Sequence, residues 1–290
     1  MSVLKNGVWV ADEKLEHSDT IPTQITPENG RYHLYISLAC PYAHRANLVV
    51  KYLGLTGISV SSVSPYKFDP WAFDENFPDP LFGVQNLYDI YLKHQADFSG
   101  RATVPVLWDK QAQQIASNTS FDLALDLAEN WNVLATNKHE LVPATERAEI
   151  IELNQWISDH INGKIYRVGY ATEQANYDKL VAELFNDFAE LDSRLANNRY
   201  LFGEEIRLSD FFLFPTLIRF EAVYSTLFKC SAKPLSDFPN LYRYMLDLYR
   251  IESIRETVDV AYTHTNYFYS FPQLNPSRVV PKLAKLEWQK

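Results

Sequence analysis

Hydrophobic and polar positions follow two different periods in the segment 31–54. Tyr32, Leu34 and Ile36 stand at every second position, in a run rich in aromatic and branched residues, which predicts a β-strand. Apolar residues then recur at helical spacing, and they are Ala43, Ala46, Val50 and Leu53. Gly54 ends this run, as glycine commonly ends a helix. The segment therefore predicts a strand, a turn and a helix.

The turn between that strand and that helix holds Cys40 and Pro41. Proline suits the first helical position, because its missing N–H would have no partner there and its fixed φ is already helical. Cys40 is therefore predicted at the N-cap, where unpaired amides and the helix dipole point at its sulfur. Such a position lowers a thiol pKa from about 8.5 to roughly 3.5–7.5. The alternative is a small buried cysteine that only fills space, but the strand, turn and helix favour a thiolate.

Other patterns in the first half predict a mixed α/β domain. The predicted strands are 58–63, 103–108 and 113–116, and the predicted helices are 87–95 and a longer one that begins after a cap at 117–120. A long loop at 65–85 carries several aromatic residues, and such loops are often functional. Val104-Pro105 interrupts a strand-like run, which favours a bend or a cis bond beside a ligand.

The second half has a helical pattern from about residue 143. Helices are predicted over 145–157, continuing through 177–195, and over 207–224 and 238–249. Pro215 lies inside one of them and is expected to kink or break it. The predicted organisation is an irregular arm at 1–30, an α/β domain at 31–135, an all-helical domain at 143–260 and a C-terminal extension at 261–290, with the domain boundary in 132–143.

Composition and charge exclude several classes of function. A net charge of −9 without a basic cluster argues against nucleic acid and favours a small-molecule partner. No apolar run approaches the roughly 18 residues of a membrane span, and residues 1–20 show no secretory pattern. Two distant cysteines and scattered histidines give neither a disulfide framework nor metal-ligand spacing. A cytosolic protein without a metal is expected.

Taken together, these features resemble the cytosolic glutathione transferases. The resemblance implies a thioredoxin-like N-terminal domain, which binds the thiol, followed by a helical glutathione-transferase C-terminal domain. Cys-Pro-Tyr is also similar to the Cys-Pro-Tyr-Cys of glutaredoxins, but Ala43 stands where a resolving cysteine would. A lone thiolate cannot close an internal disulfide, so an oxidised Cys40 must be reset by an external thiol.

Four motifs narrow the resemblance to the glutathionyl-hydroquinone reductases, the xi class. They are SLACPYAHR at 37–45, RATVPVLWD at 101–109, FKC at 228–230, and LNP at 274–276 with VVP at 279–281. The resemblance implies that Cys40 attacks the thioether sulfur of a glutathionyl-hydroquinone. The hydroquinone leaves, Cys40 remains in a mixed disulfide with glutathione, and a second glutathione, the cosubstrate, restores the thiolate. A homodimer is expected because the family is dimeric.

The resemblance also assigns roles to other residues. Tyr166 matches the family's proton donor/acceptor, and Tyr224 and Tyr267 match two tyrosines that lower the pKa of the cysteine. The family's glutathione-binding positions fall on Trp71, Arg101, Ala102, Thr103, Val104, Thr119 and Ser120. Without the resemblance, ordinary structural roles would be favoured for these residues, except for Ser120 at a helix start. His44 and Arg45 are assigned to the scaffold.

Elementary chemistry supports most of these roles. The Val104 backbone can pair with the ligand as an added strand does. Ser120 offers a hydroxyl and helix N-terminal amides to the γ-glutamyl carboxylate, and Arg101 offers a charge-assisted pair to the other carboxylate. Phenol hydroxyls can donate to a sulfur anion or to a quinol oxygen.

The chain departs from the family pattern at two helix starts. The family usually has Glu before the capping serine, where it grips the ligand's α-amino group, and this chain has Thr119. A neutral hydroxyl supplies no charge, so the identity of the thiol stays open between glutathione and a related γ-glutamyl thiol. Arg207 replaces the threonine of a Thr-x-x-Asp capping box, so Asp210 is expected to reach back to the Arg207 amide without a reciprocal bond.

Two other functions stay open. An omega-like thiol transferase, acting on protein mixed disulfides or dehydroascorbate, would use the same thiolate. A transferase-like scaffold that binds partners and catalyses nothing would be compatible with Thr119.

Overall fold

The computed structural model describes residues 2–11, 21–66, 69–283, 285, 286 and 288. The chain divides into two compact units, Met1–His139 and Glu140–Lys290. The other positions, 1, 12–20, 67, 68, 284, 287, 289 and 290, lie outside the described residues, and they belong to the predicted arm, aromatic loop and C-terminal extension. In the described ranges, no helix combines the length and the apolar character that crossing a membrane requires.

The first unit is built on a four-stranded sheet. Its elements are β1 (Val3–Lys5), β2 (Val8–Val10), β3 (Tyr32–Ile36), α1 (Pro41–Tyr52), β4 (Ser59–Ser62), α2 (Leu87–His94), β5 (Val106–Asp109), β6 (Gln114–Ser117) and α3 (Ser120–Asn130), followed by a 3₁₀ turn, Trp131–Val133. The sheet has the order β4-β3-β5-β6, with β3 and β4 parallel and the other pairs antiparallel. Helices α1 and α3 pack against each other. The predicted order of strand, helix, strand, hairpin and helix is confirmed.

Strand β3 is buried on both faces, although its sequence alternates. The imidazole of His33 is satisfied by two hydroxyls of the neighbouring strand β4, with Nδ1 2.7 Å from Ser59 Oγ and Nε2 2.8 Å from Ser61 Oγ. Burial lowers the pKa of His33 to about 4. The alternating polar positions of β3 therefore make buried hydrogen bonds and do not form a solvent face.

A buried carboxylate organises the long aromatic loop. Asp79, which is 6% exposed, accepts a 2.7 Å hydrogen bond from the Tyr35 hydroxyl on β3. Its two oxygens also accept bonds from the backbone amides of Leu81, Phe82 and Val84. A bridge between Ala72 and Asn86 then closes the described part of the loop. The loop is thereby fixed to the central strand.

The predicted irregular arm is wrong at its start, because β1 and β2 form an antiparallel hairpin. Asn6 and Gly7 connect the two strands with φ values of 49° and 77°. Positive φ at both central residues is typical of a type I′ hairpin turn, for which Asn-Gly is a strong signal. Farther along, residues 21–26 lie beside β6, where the Gln24 amide donates to the Ala116 carbonyl at 3.2 Å.

Two predicted boundaries shift by a few residues. Strand β5 begins at Val106 and not at 103, after a cis peptide bond between Val104 and Pro105. Pro105 has no amide hydrogen for a strand ladder. The expected bend or cis bond is confirmed. Helix α3 begins at Ser120, and the N-cap is Thr119, whose side chain makes no capping hydrogen bond.

The second unit is helical. Its elements are α4 (Arg147–Trp156), a π turn (Ile157–Asn162), α5 (Gly163–Gly169), α6 (Gln174–Arg194), α7 (Leu208–Arg219), a second π turn (Phe220–Tyr224), a 3₁₀ turn (Leu235–Asp237), α8 (Pro239–Tyr249), α9 (Glu252–Arg255) and α10 (Val260–Ser270). Pro215 was expected to kink or break the helix; the break is wrong, since α7 continues past it to Arg219. Every residue of α7 is buried, and packing holds a helix that propensity alone would interrupt.

The start of α7 is organised by Asp210 as predicted. Its Oδ2 accepts from the Arg207 amide at 2.8 Å, and its Oδ1 accepts from the Tyr244 hydroxyl at 2.8 Å and the Leu201 amide at 3.1 Å. Burial raises the pKa of Asp210 to about 6, and these donors oppose the rise. The aromatic segment that the sequence places in a C-terminal extension begins with helix α10, which packs on the second π turn.

Candidate active site

Cys40 is the N-cap of α1. Its Sγ accepts a hydrogen bond from the Ala43 amide at 3.5 Å, and Pro41 occupies the first helical position. The residue is partly exposed, whereas the other cysteine, Cys230, is fully buried. Burial raises the pKa of the Cys230 thiol to about 12. A helix-start sulfur with an amide donor is suited to carry negative charge, and a buried thiol with a raised pKa is not.

Arg45 lies closer to this chemistry than its assignment to the scaffold indicates. Its side chain is 3% exposed, and its guanidinium lies over the Tyr42 ring, 5.0 Å from the centroid. Burial lowers the pKa of Arg45 to about 10, while attraction to the Tyr42 and Cys40 side chains opposes this shift. The sequence signal was a charged residue five positions after the N-cap, in the first half of the helix that begins at Pro41.

The strand register brings the predicted glutathione positions to one end of the sheet. Strand β3 ends at Ile36, just before Cys40, and Tyr35 pairs with Val106, the first residue of the antiparallel strand β5. Leu107 pairs in turn with Ser117, the last residue of β6. The segments before β5 and after β6 therefore lie at the same sheet end as Cys40. They carry Arg101, Ala102, Thr103, Val104, Thr119 and Ser120.

Tyr91 on α2 fixes the segment before β5 through two hydrogen bonds. The Tyr91 hydroxyl donates to the Thr103 carbonyl at 2.8 Å and accepts from the Thr103 amide at 3.2 Å. Ala102 and Val104 are buried, at 8% and 5% exposure, and Arg101 is exposed. Sequence patterns did not identify Tyr91, because its role depends on packing between distant segments.

Trp71 lies in the aromatic loop and is 6% exposed. Its carbonyl accepts from the Leu87 amide at 2.9 Å, which ties it to the first residue of α2. The loop follows β4, whose parallel pairing with β3 directs both strands to the same sheet end. Trp71 thus belongs to the chain segment that leaves the sheet beside Cys40.

A hydroxyl cluster surrounds the start of α3. Thr119 Oγ1 lies 3.1 Å from Thr23 Oγ1 and 3.4 Å from Ser117 Oγ, and the Thr23 and Ser117 hydroxyl oxygens are 2.7 Å apart. The Ser120 hydroxyl instead donates to the Tyr42 carbonyl at 2.7 Å. The first turn of α3 is thereby joined to the first turn of α1. Thr23 comes from the N-terminal segment, which sequence patterns did not connect with this helix.

Three tyrosines predicted to act in catalysis form one hydroxyl chain in the second unit. The Tyr166 and Tyr267 hydroxyl oxygens are 2.6 Å apart, and those of Tyr267 and Tyr224 are 3.1 Å apart. Tyr224 and Tyr267 are buried, while Tyr166 is partly exposed. Burial raises the pKa of Tyr267 well above its usual value, and the Arg219 charge opposes part of the rise. Tyr166 is therefore the partly exposed end of a buried hydroxyl chain.

Phe228 fills the space between these tyrosine rings. Its ring centroid lies 5.2 Å from that of Tyr166, 5.5 Å from Tyr224 and 5.8 Å from Tyr267. Gly169 makes this position possible, because a Cβ there would lie 2.2 Å from the Phe228 ring. The motif FKC was noted in the sequence, but its packing role depends on three helices that the sequence does not relate.

Within the described residues, no group of three or more His, Cys, Asp or Glu side chains is arranged to hold a metal ion. Cys40 and the predicted glutathione positions belong to the first unit, and the three tyrosines belong to the second.

Family models match both halves of the chain. Residues 39–129 match the N-terminal domain of glutathione S-transferase, and residues 174–246 match the C-terminal domain. The first range contains Cys40, and the second contains Tyr224. The predicted fold class, a thioredoxin-like domain followed by a helical glutathione-transferase domain, is confirmed.

Individual relatives cover most of the chain. The glutathionyl-hydroquinone reductase YqjG of Escherichia coli is 40% identical over 259 residues, which span 87% of this chain and 79% of that protein. The glutathione-bound structure of YqjG superposes with a TM-score of 0.90 at 37% identity, over 99% of this chain and 97% of the other. A xi-class transferase from Natrialba magadii gives a TM-score of 0.95 at 34% identity, over 100% and 96% of the two chains. The chain therefore belongs to the xi class of the glutathione transferases, the glutathionyl-hydroquinone reductases.

Proposed function

We propose that this chain reduces glutathionyl-hydroquinones, with Cys40 as the nucleophile and glutathione as the cosubstrate. The observation that carries the proposal is the position of Cys40 at the N-cap of α1, with its Sγ accepting from the Ala43 amide. Membership of the xi class gives the substrate class, because the similar YqjG protein is named a glutathionyl-hydroquinone reductase.

The reaction has two exchanges at sulfur. The Cys40 thiolate attacks the thioether sulfur, an S–S bond forms, and the bond between sulfur and the ring carbon breaks. The ring carbon keeps the electron pair and takes a proton, so the free hydroquinone leaves. A second glutathione thiolate then attacks the mixed disulfide, releases glutathione disulfide and restores the Cys40 thiolate. The two glutathionyl sulfurs are oxidised and the ring is reduced.

The shared sheet end described above supports the glutathione-binding roles that the family implies. The Val104 backbone, held beside β5, pairs with the cysteinyl part of glutathione as an added strand would. The Ser120 amide and the other amides at the start of α3 receive the γ-glutamyl carboxylate, while the Ser120 hydroxyl keeps its single proton on the Tyr42 carbonyl. Arg101, an exposed residue, pairs with the other carboxylate. The walls of the proposed glutathione site are formed by Trp71, Ala102 and Thr103. Thr119 stands at the position where the family has a carboxylate directed at the ligand's amine.

The tyrosines supply the proton. Tyr166 donates it to the ring carbon, and its hydrogen bond to Tyr267 lets the chain share the resulting negative charge. In line with the family, we also assign to Tyr224 and Tyr267 a lowering of the pKa of the Cys40 thiol. We further propose a homodimer and a cytosolic location, in line with the family and with the thiol-based chemistry.

The test compares two cysteine variants. Cys40→Ser is expected to abolish reduction of a glutathionyl-hydroquinone and to leave glutathione binding, measured by calorimetry, largely unchanged. Cys230→Ser is the matched control, because that thiol is buried and has a raised pKa. Retained turnover in Cys40→Ser would remove the proposed mechanism.

A second function has one observation in its favour. A Schizosaccharomyces pombe relative named glutathione S-transferase omega-like 2 is 31% identical over 268 residues, which span 88% of this chain and 86% of that protein. An omega-like activity would reduce a glutathionylated peptide or dehydroascorbate faster than a glutathionyl-hydroquinone. Steady-state rates of the same preparation on these substrates decide between the two.

A non-catalytic scaffold makes a different prediction about the thiol. Alkylation by iodoacetamide as a function of pH would then give Cys40 a pKa near that of free cysteine, about 8.5. The proposed enzyme requires a lower value, with Cys230 unreactive over the same range. Because the Cys230 thiol is buried, the labelled fraction in the native protein reports Cys40.

A further inference from the structure

A buried arginine directly precedes the π turn that carries Tyr224. Arg219 is the last residue of α7 and is 3% exposed. Its Nη1 donates to the Pro215 carbonyl at 2.7 Å, one turn earlier in the same helix. The hydrogen bond fixes the direction of the guanidinium, and the π turn that carries Tyr224 begins at the next residue.

The same arginine faces helix α10. Arg219 and Ala222 line a small cavity together with Val260 and Thr263 of α10. Thr263 and Tyr267 are four residues apart on that helix, so they lie on the same face. The Arg219 charge lowers the pKa of Tyr267, against the larger effect of burial. Arg219 thus lies against the two elements that carry Tyr224 and Tyr267, the π turn and α10.

We propose that Arg219 is a positioning residue, whose charge stabilises the negative charge that the Tyr166–Tyr267–Tyr224 hydroxyl chain takes up when Tyr166 gives its proton to the substrate. This inference rests on the proposed function, because it concerns the proton that the ring carbon receives when the carbon–sulfur bond breaks. Arg219 acts through the tyrosines and does not contact the reacting atoms.

The groups around Tyr267 strengthen the effect of the Arg219 charge. Tyr166 of α5 and Tyr224 of the π turn lie within hydrogen-bond distance of its hydroxyl. The rings of Phe228 and Phe271 pack against Tyr267, with centroids 5.8 Å and 5.1 Å away. On its own helix, His264 has a pKa lowered by burial and is neutral at pH 7. Among these groups Arg219 carries the positive charge, in surroundings of low polarity where a charge acts strongly.

The experiment measures how turnover depends on the leaving group. Chlorine atoms on the hydroquinone stabilise negative charge at the ring carbon, so a chlorinated substrate needs less help from a proton donor. Arg219→Gln is expected to lower turnover on an unsubstituted glutathionyl-hydroquinone about tenfold, the effect of about one unit of phenol pKa. Turnover on the trichlorinated substrate should fall by much less, and Arg219→Lys should restore the wild-type ratio of the two rates.

Two comparison variants separate this role from packing. Tyr166→Phe should change the ratio of rates in the same direction, and combining it with Arg219→Gln should add little, because both act on one proton. Arg243→Gln is the control, since Arg243 also donates to backbone carbonyls in this unit, those of Leu195 and Asn198. It should leave the ratio unchanged.

Several results would overturn the inference. An equal loss on both substrates in Arg219→Gln, or no loss, would make the residue purely structural. If Arg219→Gln does not fold, Arg219→Lys carries the test, because a buried lysine loses its charge as the pH rises. In Arg219→Lys, the ratio of the rates on the two substrates should then depart from the wild-type ratio as the pH rises from 7 to 9. A difference between the two ratios that stays constant over this pH range would contradict the proposal.

Failure of the inference is distinguishable from failure of the proposed function. Turnover retained in Cys40→Ser would reject the function itself. If Cys40→Ser is inactive and Tyr166→Phe changes the ratio while Arg219→Gln does not, only the role of Arg219 is rejected.

Discussion

The Ser120 hydroxyl donates a 2.7 Å hydrogen bond to the backbone carbonyl of Tyr42. Tyr42 lies in the first turn of α1, two residues after Cys40, and Ser120 is the first residue of α3. This contact therefore ties the proposed site of the γ-glutamyl carboxylate to the helix that carries the nucleophile, in addition to the packing of α3 on α1. Any change in this contact should affect the stability of the unit and the binding of glutathione together.

Ser120→Ala is expected to destabilise the protein by about 1 kcal/mol, the usual net value of one hydrogen bond, and to weaken glutathione binding. Denaturant titration and calorimetry measure the two effects. Ser193→Ala is the matched control, because the Ser193 hydroxyl also donates to a backbone carbonyl, that of Ala189, on a helix of the other unit. Unchanged glutathione affinity in Ser120→Ala would remove Ser120 from the binding site.

Thr119→Glu is expected to tighten glutathione binding about tenfold, or about 1.4 kcal/mol, because a carboxylate supplies the charge that pairs with the ligand's amine. Its place at the start of α3 is also favourable for a negative charge. Thr119→Gln has the same length without the charge and should give little of this gain. Equal affinities for the two variants in calorimetry would mean that another group holds the amine.

His33 makes folding stability depend on pH in a defined window. Its pKa is lowered from 6.5 to about 4 in the folded protein, so the unfolded chain binds a proton in this range and the folded chain does not. The contribution of His33 to the free energy of unfolding is fully present above pH 6.5. It is lost as the pH falls towards 4, by about 3 kcal/mol.

The check for His33 is a difference measurement. The free energy of unfolding of the wild type is compared with that of His33→Gln between pH 4 and 7, so that the carboxylates contribute equally to both. The difference in the free energy of unfolding between the two proteins should narrow as the pH falls. Parallel curves would show that His33 is not held neutral by burial between Ser59 and Ser61.

Gly169→Ala is expected to destabilise the second unit, because the new Cβ would meet the Phe228 ring at 2.2 Å. Overpacking of this kind costs about 1–3 kcal/mol. The same substitution in a Phe228→Ala background should cost much less, and this non-additivity in denaturant titrations identifies the pair. Additive changes in the free energy of unfolding would show that the strain does not come from a contact with Phe228.

The order of elements in the first unit could be predicted because local signals agreed with the packing. Pro41 and Gly54 mark the start and the end of one helix, and Val104-Pro105 marks the strand entry. The hairpin in the arm was missed although Asn6-Gly7 is a strong local signal. The strand β3 shows the limit of periodicity, because hydroxyls of β4 let His33 be buried, and no pattern within β3 contains that information.

The candidate site was predictable where a residue acts through its own local position. Cys40 needs only its helix start, which the sequence shows. Arg219, Tyr91 and Thr23 were not identified, because each contacts a segment that is distant in the sequence. Pro215 shows the reverse case, since a strong local signal for a break is overcome by burial of the whole of α7.

Residues 21–26 have a consequence beyond the site they adjoin. They lie beside β6, the outer strand of the sheet, with the Gln24 amide bonded to Ala116. An uncovered outer strand is a template for pairing with another chain. A protein that begins at residue 31 would therefore leave the edge of β6 uncovered, and we expect it to self-associate at high concentration.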